Sequence, residues 1–266
     1  MRSVADDGGS GWDGAAYDRI NGLQRWVADR SLANLTVVGD EQVLDVGCGD
    51  GRITAELALR VPRGSVVGID PSPLMIEVAR SRITPLVPNL SFVEGAVETL
   101  DQVDDVDLIV SFNALHWVSD HRTALARMRR ALRRNGRALL QFVCDGDRPS
   151  VEDVAAEVAA RPAYSRWLSM VGPPYHHAAE SVFLGEARDA GFEVTRSHVE
   201  DLAWDFEDAG RLREWLRVGF SSWLGPLPEG ELRDGFLDDV VLEYAAVVGS
   251  ASVVRFLQLR VELEAH

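Results

Sequence analysis

Cysteine is nearly absent from this sequence of 266 residues, which contains only Cys48 and Cys144. Two cysteines cannot form a disulfide framework, and their spacing does not match the paired arrangement of a metal site. We therefore expect both to be small filling side chains, and we expect no bound metal.

Long apolar runs are missing as well. No segment approaches the ~18 consecutive apolar residues that a membrane-spanning helix requires. The first 14 residues, MRSVADDGGSGWDG, lack the apolar core of a secretion signal. These absences predict a cytoplasmic protein without a membrane partner.

Positive charge is scarce relative to negative charge. The sequence has 27 Lys and Arg residues against 42 Asp and Glu residues, for a formal net charge of −15. Such a surface repels the phosphate backbone of nucleic acids, and no basic block is long enough to offset it. We therefore expect a small-molecule substrate and no nucleic acid partner.

Strand and helix signals alternate from residue 40 to residue 143, as they do in a doubly wound α/β sheet. Asn135 and Gly136 are expected to end the helix that precedes the fifth strand. The predicted strands in this part are 43–46, 66–70, 90–94, 107–112 and 137–142. Beyond residue 142 the alternation is less regular. The predicted elements there are helices over 151–170, 180–190 and 208–248 and strands over 191–199 and 253–263.

The segment VLDVGCGDG, residues 43–51, is the most informative functional signal. A short apolar strand ends in Gly47, Gly49 and Gly51, and a helical pattern follows at once. Glycines have no Cβ atom, so backbone N–H groups and the start of the helix can approach a ligand closely. Asp70 ends the next predicted strand, VVGID, where a carboxylate can accept hydrogen bonds from both hydroxyls of a ribose. Together these features predict a nucleoside site.

Two other interpretations of this loop stand beside the first. A dinucleotide site has the pattern G-x-G-x-x-G, whose third glycine lets the helix pack beneath a pyrophosphate. Here the pattern is G-x-G-x-G, and Arg52 occupies the third position of that fingerprint. A glycine-rich turn without a ligand is the other alternative, and the ordered succession of strand, loop, helix, strand and acid disfavours it.

With Asp45 just ahead of the first glycine, the segment resembles motif I of the class I S-adenosylmethionine-dependent methyltransferases. The resemblance implies a Rossmann-like α/β fold, a doubly wound, seven-stranded and mostly parallel sheet of order 3-2-1-4-5-7-6 with an antiparallel last strand and a helical lid. It implies an N-terminal helical segment over the cofactor (1–36), a cofactor-binding core (37–145), and the rest of the sheet with the lid (146–266).

S-adenosyl-L-methionine is the cofactor that this resemblance implies. Many of these enzymes have Gly-Asp-Ala after the third strand, and their acid binds the adenine amino group. Here the sequence is Gly95-Ala96-Val97, so backbone groups are expected to bind the adenine. The residues implied to bind the cofactor are Tyr17, Asp45, Gly47, Cys48, Gly49, Asp70, Pro71, Met75, Ala96, Val97 and Asn113.

Residues 16–27 and 111–142 are similar to the trans-aconitate and juvenile hormone acid methyltransferases, which convert carboxylates to methyl esters. This resemblance implies methyl ester formation on a small-molecule acid. Gln24 and Trp117 match the positions of the donors that orient the acceptor carboxylate in the juvenile hormone acid enzymes. His116 is the third candidate catalytic residue, either as a base or in packing against the cofactor. Gln258 stands where the trans-aconitate enzymes have an arginine, which favours an acid with an apolar body.

Two alternative functions stay open at this point. The first is methyl transfer to a hydroxyl or carbon acceptor, with His116 as the base. The second is S-adenosylmethionine binding without catalysis, which an intact glycine loop does not exclude. His176 and His177 are expected to be surface loop residues.

Overall fold

The computed structural model describes residues 22–33, 35–83, 87–100 and 103–266. Tyr17, one of the residues implied to bind the cofactor, lies outside the described residues. Of the helices in the described ranges, none has the length and apolar character needed to cross a membrane.

Helices and strands alternate along most of the chain. Two short 3-10 turns, Val97–Thr99 and Leu115–Trp117, follow the third and fourth strands. In chain order the elements are α1 (Gly22–Ala33), β1 (Gln42–Val46), α2 (Arg52–Arg60), β2 (Ser65–Asp70), α3 (Pro73–Arg80), β3 (Leu90–Glu94), β4 (Val106–Phe112), α4 (His121–Ala131), β5 (Leu132–Val143), α5 (Val151–Ala159), α6 (Ser165–Leu168), α7 (Glu180–Asp189), β6 (Phe192–Asp205), α8 (Ala209–Gly219), α9 (Ser221–Leu224), α10 (Glu231–Val248) and β7 (Val253–Ala265).

The seven strands form one sheet of order β3-β2-β1-β4-β5-β7-β6. Strands β1 to β5 pair in parallel, and β7 pairs antiparallel to β5. This confirms the predicted fold class and strand order. Strands β1 to β3 are added toward one edge of the sheet, and β4 and β5 are added on the other side of β1. The order of the strands therefore reverses between β1 and β4. In open α/β sheets a ligand binds in the crevice beyond the carboxyl ends of the strands at such a reversal.

The strands contribute alternate residues to two apolar layers. Leu44 and Ile109 belong to the layer formed with α4 and α7, whereas Val43 and Leu108 belong to the layer formed with α2 and α3. Because successive residues of a strand point to opposite sides of the sheet, both faces of these strands are buried. Burial on both faces explains why the central strands are continuous apolar runs.

The end of α4 differs from the prediction. The helix ends at Ala131 rather than at Asn135, because Leu132 already pairs with Val106 of β4. The extra residues form a bulge before Arg137 pairs with Leu108, and Asn135 takes a left-handed conformation with φ of 62°. Asn135 therefore shapes a turn within β5 rather than the end of the helix.

The described part of the chain divides into two compact units. One unit contains the sheet and comprises the described residues up to Ser150, Tyr175–Trp204 and Arg255–His266. The other comprises Val151–Pro174 and Asp205–Val254. It is helical and has its own core, in which Trp223, Phe236 and Tyr244 are fully buried.

Candidate active site

The glycine loop turns sharply from β1 into α2. The backbone N–H groups of Gly47 and Cys48 both donate to the Ile69 carbonyl, at 2.8 and 2.9 Å. Gly47, Gly49 and Gly51 have φ angles of 72°, 53° and 74°. L residues with a side chain adopt this left-handed region at a cost, so the local sequence suits the conformation.

The three glycines are needed for different reasons. A Cβ on Gly47 would lie 2.1 Å from the Ala114 Cβ, and a Cβ on Gly51 would lie 2.5 Å from Phe92 Cζ. At both positions the neighbouring side chains leave no room for a Cβ. A Cβ on Gly49 would meet no atom within 4 Å. The open space beside Gly49 is therefore where a ligand can approach the loop.

Asp70 is held at the edge of this loop by two backbone donors. The Gly49 N–H donates to Asp70 Oδ2 at 3.0 Å, and the Ser72 N–H donates to Asp70 Oδ1 at 2.9 Å. Burial raises the pKa of Asp70 above its usual value, and the two N–H groups oppose that shift. Among the described residues, each carboxylate oxygen accepts one backbone N–H, which leaves a lone pair for a ligand hydroxyl.

Asp45 is the second carboxyl group near the loop, and it is almost fully buried at the end of β1. The Thr54 hydroxyl donates to Asp45 Oδ2 at 2.7 Å. Burial raises the pKa of Asp45 to about 7, and the nearby negative charge of Asp70 adds to the shift. A cationic ligand group would favour the ionised form of Asp45.

The other predicted cofactor residues in the described chain lie close to these carboxyl ends. Cys48 is buried, and burial raises the pKa of its thiol, so the thiol is neutral. Pro71 is exposed after β2, and Met75 is buried in the first turn of α3. Ala96 and Val97 begin the turn after β3, where the Gly95 N–H donates to the Asp70 carbonyl at 3.0 Å.

The end of β4 carries the remaining predicted residues. Asn113 has a φ of 57°, and its N–H donates to the Gln141 carbonyl at 2.7 Å. His116 follows in the 3-10 turn and is only 8% exposed. Within the described residues its Nδ1 has no hydrogen-bond partner. Burial, together with the neighbouring His177 and His121, lowers the pKa of His116 to about 3. Trp117 is 43% exposed, with its ring centroid 5.3 Å from that of His116.

The segment around His177, expected to be a surface loop, contacts His116. The His176 N–H donates to the His116 carbonyl at 2.7 Å, and the rings of His116 and His177 lie 6.1 Å apart. His177 Nε2 is buried and has no hydrogen-bond partner in the described part of the chain. His176 itself is exposed, as expected. The hydrogen bond between the two loops is the feature that distinguishes His177 from a histidine in an exposed surface loop.

Gln24 lies on α1. Its Oε1 is buried and has no partner among the described residues. The described contacts include no hydrogen bond or ring contact between Gln24 and Trp117. Over the same residues, no group of three His, Cys, Asp or Glu side chains is placed to hold a metal ion.

Comparisons with known proteins agree with this geometry. A family model described as a methyltransferase domain matches residues 43–136. The trans-aconitate 2-methyltransferase of Methylobacterium radiotolerans is 30% identical over 237 residues, which are 85% of this chain and 86% of that protein.

Two solved structures share the fold. The YcgJ protein of Bacillus subtilis matches with a TM-score of 0.66 and 17% identity, covering 91% of this chain and 99% of that chain. Phosphoethanolamine N-methyltransferase 2 of Haemonchus contortus, solved with phosphomonomethylethanolamine and S-adenosylhomocysteine, matches with a TM-score of 0.60 and 18% identity. That match covers 94% of this chain and 56% of the other. On the extent and identity of the curated match, the chain belongs to the S-adenosylmethionine-dependent methyltransferases, in the family that includes the trans-aconitate 2-methyltransferases.

Proposed function

We propose that the protein transfers a methyl group from S-adenosylmethionine to the carboxylate of a small organic acid, which forms a methyl ester. The relationship to trans-aconitate 2-methyltransferases supports an acid as the acceptor. The observation that supports a carboxylate over a hydroxyl or carbon acceptor is the burial of His116, which lowers its pKa to about 3. At neutral pH His116 is therefore a poor proton acceptor. A carboxylate acceptor with a pKa near 4 is already ionised and needs no base.

The residues around the glycine loop fit the cofactor. When bound, S-adenosylmethionine supplies an electrophilic methyl group on a sulfonium centre. Asp70 is placed to accept hydrogen bonds from the ribose hydroxyls, and Gly49 leaves room for the ligand beside the loop. Asp45, Gly47 and Cys48 form the floor of this site. Proposed further contacts are Ala96 and Val97 to the adenine and Tyr17, Pro71, Met75 and the backbone of Asn113 to other parts of the cofactor.

Replacing Asp70 with alanine is expected to weaken S-adenosylhomocysteine binding by about 1–3 kcal/mol, or about 5- to 150-fold, because the ligand hydroxyls lose their acceptors. Isothermal titration calorimetry measures this change. Asp40→Ala is the matched control, since Asp40 is an exposed aspartate before β1, at the opposite end of the strands. An unchanged affinity in Asp70→Ala would remove Asp70 from the cofactor site.

The acceptor carboxylate needs alignment more than activation, because attack must proceed in line with the breaking bond to sulfur. Trp117 has an indole N–H and Gln24 has an amide NH₂, and both are neutral donors. A neutral donor orients a carboxylate without pairing its charge. Gln258 is also neutral, and its amide is bonded to Gln141 and Asn113. These neutral side chains support an acceptor acid with an apolar body rather than a tricarboxylate.

With saturating S-adenosylmethionine, the rate of ester formation is expected to be nearly flat between pH 6 and pH 8. The acceptor is ionised and His116 is neutral throughout this range, and the cationic cofactor favours the ionised form of Asp45. Labelled S-adenosylmethionine with a panel of acids, phenols and amines identifies the acceptor class, and the pH profile is then measured on it. A rate that climbs through pH 6.5 and is lost in His116→Ala would identify a hydroxyl or carbon acceptor instead. Cofactor binding without turnover on any acceptor would identify a non-catalytic binder.

Trp117→Phe is expected to lower kcat/KM for the acid by about 1.5–3 kcal/mol, or roughly 10- to 150-fold, because it keeps a six-membered aromatic ring but removes the indole N–H donor. Cofactor affinity is expected to stay unchanged. The control is Trp204→Phe on β6, which makes the same change in another half-buried tryptophan. Full activity in Trp117→Phe would show that the indole N–H does not hold the carboxylate and that the ring only lines the pocket. If Gln24 holds the same carboxylate, combining Trp117→Phe with Gln24→Met is expected to cost less than the sum of the two.

A further inference from the structure

A chain of four hydrogen-bonded polar side chains crosses the interior of the unit that contains the sheet. The Ser31 hydroxyl of α1 donates to Gln141 Oε1 of β5. Gln141 Nε2 donates to Gln258 Oε1 of β7 at 2.7 Å, and Gln258 Nε2 donates to Asn113 Oδ1 at 2.9 Å. Ser31, Gln141 and Gln258 are each at most 5% exposed. Buried amides of this kind are costly unless they are fully hydrogen-bonded.

The hydrogen bonds of this chain all run in one direction. Each glutamine accepts through its oxygen from the preceding group and donates through its nitrogen to the next one. Ser31 Oγ also lies 2.9 Å from the Val27 carbonyl. A carbonyl has two lone pairs, so the helical hydrogen bond of α1 leaves room for this contact, and the Ser31 hydroxyl faces two acceptors. The amide orientations of Gln141 and Gln258 set the direction of the chain, and Gln141 Oε1, which can only accept, takes its hydrogen bond from Ser31.

The chain ends at Asn113, where the sheet reverses. Asn113 follows β4 directly, and the next residue, Ala114, packs against Gly47 of the glycine loop. In the proposed function Asp70 binds the ribose on the β2 side of that loop, which leaves the β4 side for the acceptor. Since Gln258 occupies Asn113 Oδ1, the free group is Nδ2, which has no hydrogen-bond partner among the described residues. The free end of the chain is thus a donor.

We propose that Ser31, Gln141 and Gln258 are positioning residues that hold the Asn113 amide with its NH₂ turned toward the methyl acceptor. This inference rests on the proposed function, in which the acceptor is a carboxylate. The held NH₂ is a donor for a carboxylate oxygen, and it disfavours acceptors that present an N–H in its place. Neighbouring hydrogen bonds polarise one another in a buried chain, so the terminal NH₂ donates more strongly than an isolated amide.

The direction of the chain can be tested without any acceptor. Side-chain NH₂ hydrogen exchange is measured by NMR in the cofactor-free protein, with signals assigned by their loss in Asn113→Asp and Gln258→Met. We expect the Gln258 NH₂ to exchange at least about tenfold more slowly than the Asn113 NH₂, because only the former lies within the chain. Equal protection of the two groups would mean that the chain runs in the opposite direction, and this would overturn the proposal.

The use of the chain is tested on the acid that the wild-type protein methylates. Gln258→Met and Ser31→Ala are both expected to raise KM for that acid about tenfold, while kcat and S-adenosylhomocysteine affinity stay within about twofold. Ser31 lies at the far end of the chain, so a purely structural role would lower its melting temperature and leave KM unchanged. Gln42→Met is the matched control, since Gln42 is an exposed glutamine at the start of β1.

An unchanged KM in both chain variants would overturn the proposal. Failure of the wild-type protein to methylate any acid would instead refute the proposed function, and the exchange measurement would still decide the direction of the chain.

Discussion

Gly47→Ala is expected to lower the free energy of unfolding by several kcal/mol and the melting temperature by about 10 °C. A Cβ at this position would lie 2.1 Å from the Ala114 Cβ, and the backbone φ is 72°. The left-handed conformation costs about 1–2 kcal/mol for a residue with a side chain. Forcing the extra carbon into the packed contact adds about 1–3 kcal/mol, and each kcal/mol shifts the melting temperature of a chain near this size by roughly 2–4 °C.

Gly49→Ala separates the need for glycine in folding from the need for glycine in binding. Gly49 also has a positive φ, but its added Cβ would meet no atom within 4 Å. We expect a loss of only about 1–2 kcal/mol in stability and a much larger loss, at least tenfold, in S-adenosylhomocysteine affinity. Gly185→Ala in α7 is the control for both, since Gly185 has neither a positive φ nor a close neighbour.

Urea denaturation measures the stability of these three variants, and calorimetry measures their cofactor affinity. A Gly47→Ala protein as stable as Gly185→Ala would show that the loop moves away from Ala114 without cost. Wild-type affinity in Gly49→Ala would show that the cofactor does not approach that side of the loop.

Asp45→Asn is expected to stabilise the cofactor-free protein by a few kcal/mol at pH 8 and by almost nothing at pH 4. The folded protein raises the pKa of Asp45 from 3.8 to about 7, mainly through burial. The folded state therefore prefers the protonated carboxyl group. That stabilisation is complete below pH 3.8 and is lost as the pH rises through about 7, at about 1.4 kcal/mol for each pKa unit.

Asparagine keeps an oxygen for the Thr54 hydroxyl but never ionises, so it lacks this loss. The difference in unfolding free energy between Asp45→Asn and the wild type is measured by urea denaturation at pH 4, 6 and 8. Asp40→Asn, at an exposed aspartate, is the control and is expected to give a difference that does not change with pH. The same difference at pH 4 and pH 8 for Asp45→Asn would mean that Asp45 is not protonated in the folded state.

Local sequence was sufficient to predict the elements beside the proposed cofactor site. β3 runs from Leu90 to Glu94 as predicted, and β1 and β2 each begin one residue before the predicted start. β1 and β2 are mostly apolar because inner parallel strands are covered on both faces, whereas β3, at the edge of the sheet, has exposed residues at Ser91, Val93 and Glu94. The end of α4 was harder to predict, because the pairing of Leu132 with Val106 competes with the helix and is not visible in the helical pattern.

The sequence by itself determined the strands of the core, the glycine loop and the position of Asp70 at the end of β2, because these follow from hydrophobic periodicity and local glycine pattern. The order of the strands was expected only from the resemblance to the methyltransferases, and the hydrogen bond from Gly49 to Asp70 was seen only in the structure. Only the tertiary structure decided that His116 meets His177, and that Ser31, Gln141, Gln258 and Asn113 form one chain. The bonded pairs of that chain are separated by 110, 117 and 145 residues. The low pKa of His116 likewise comes from burial, and burial depends on how distant segments pack around a side chain.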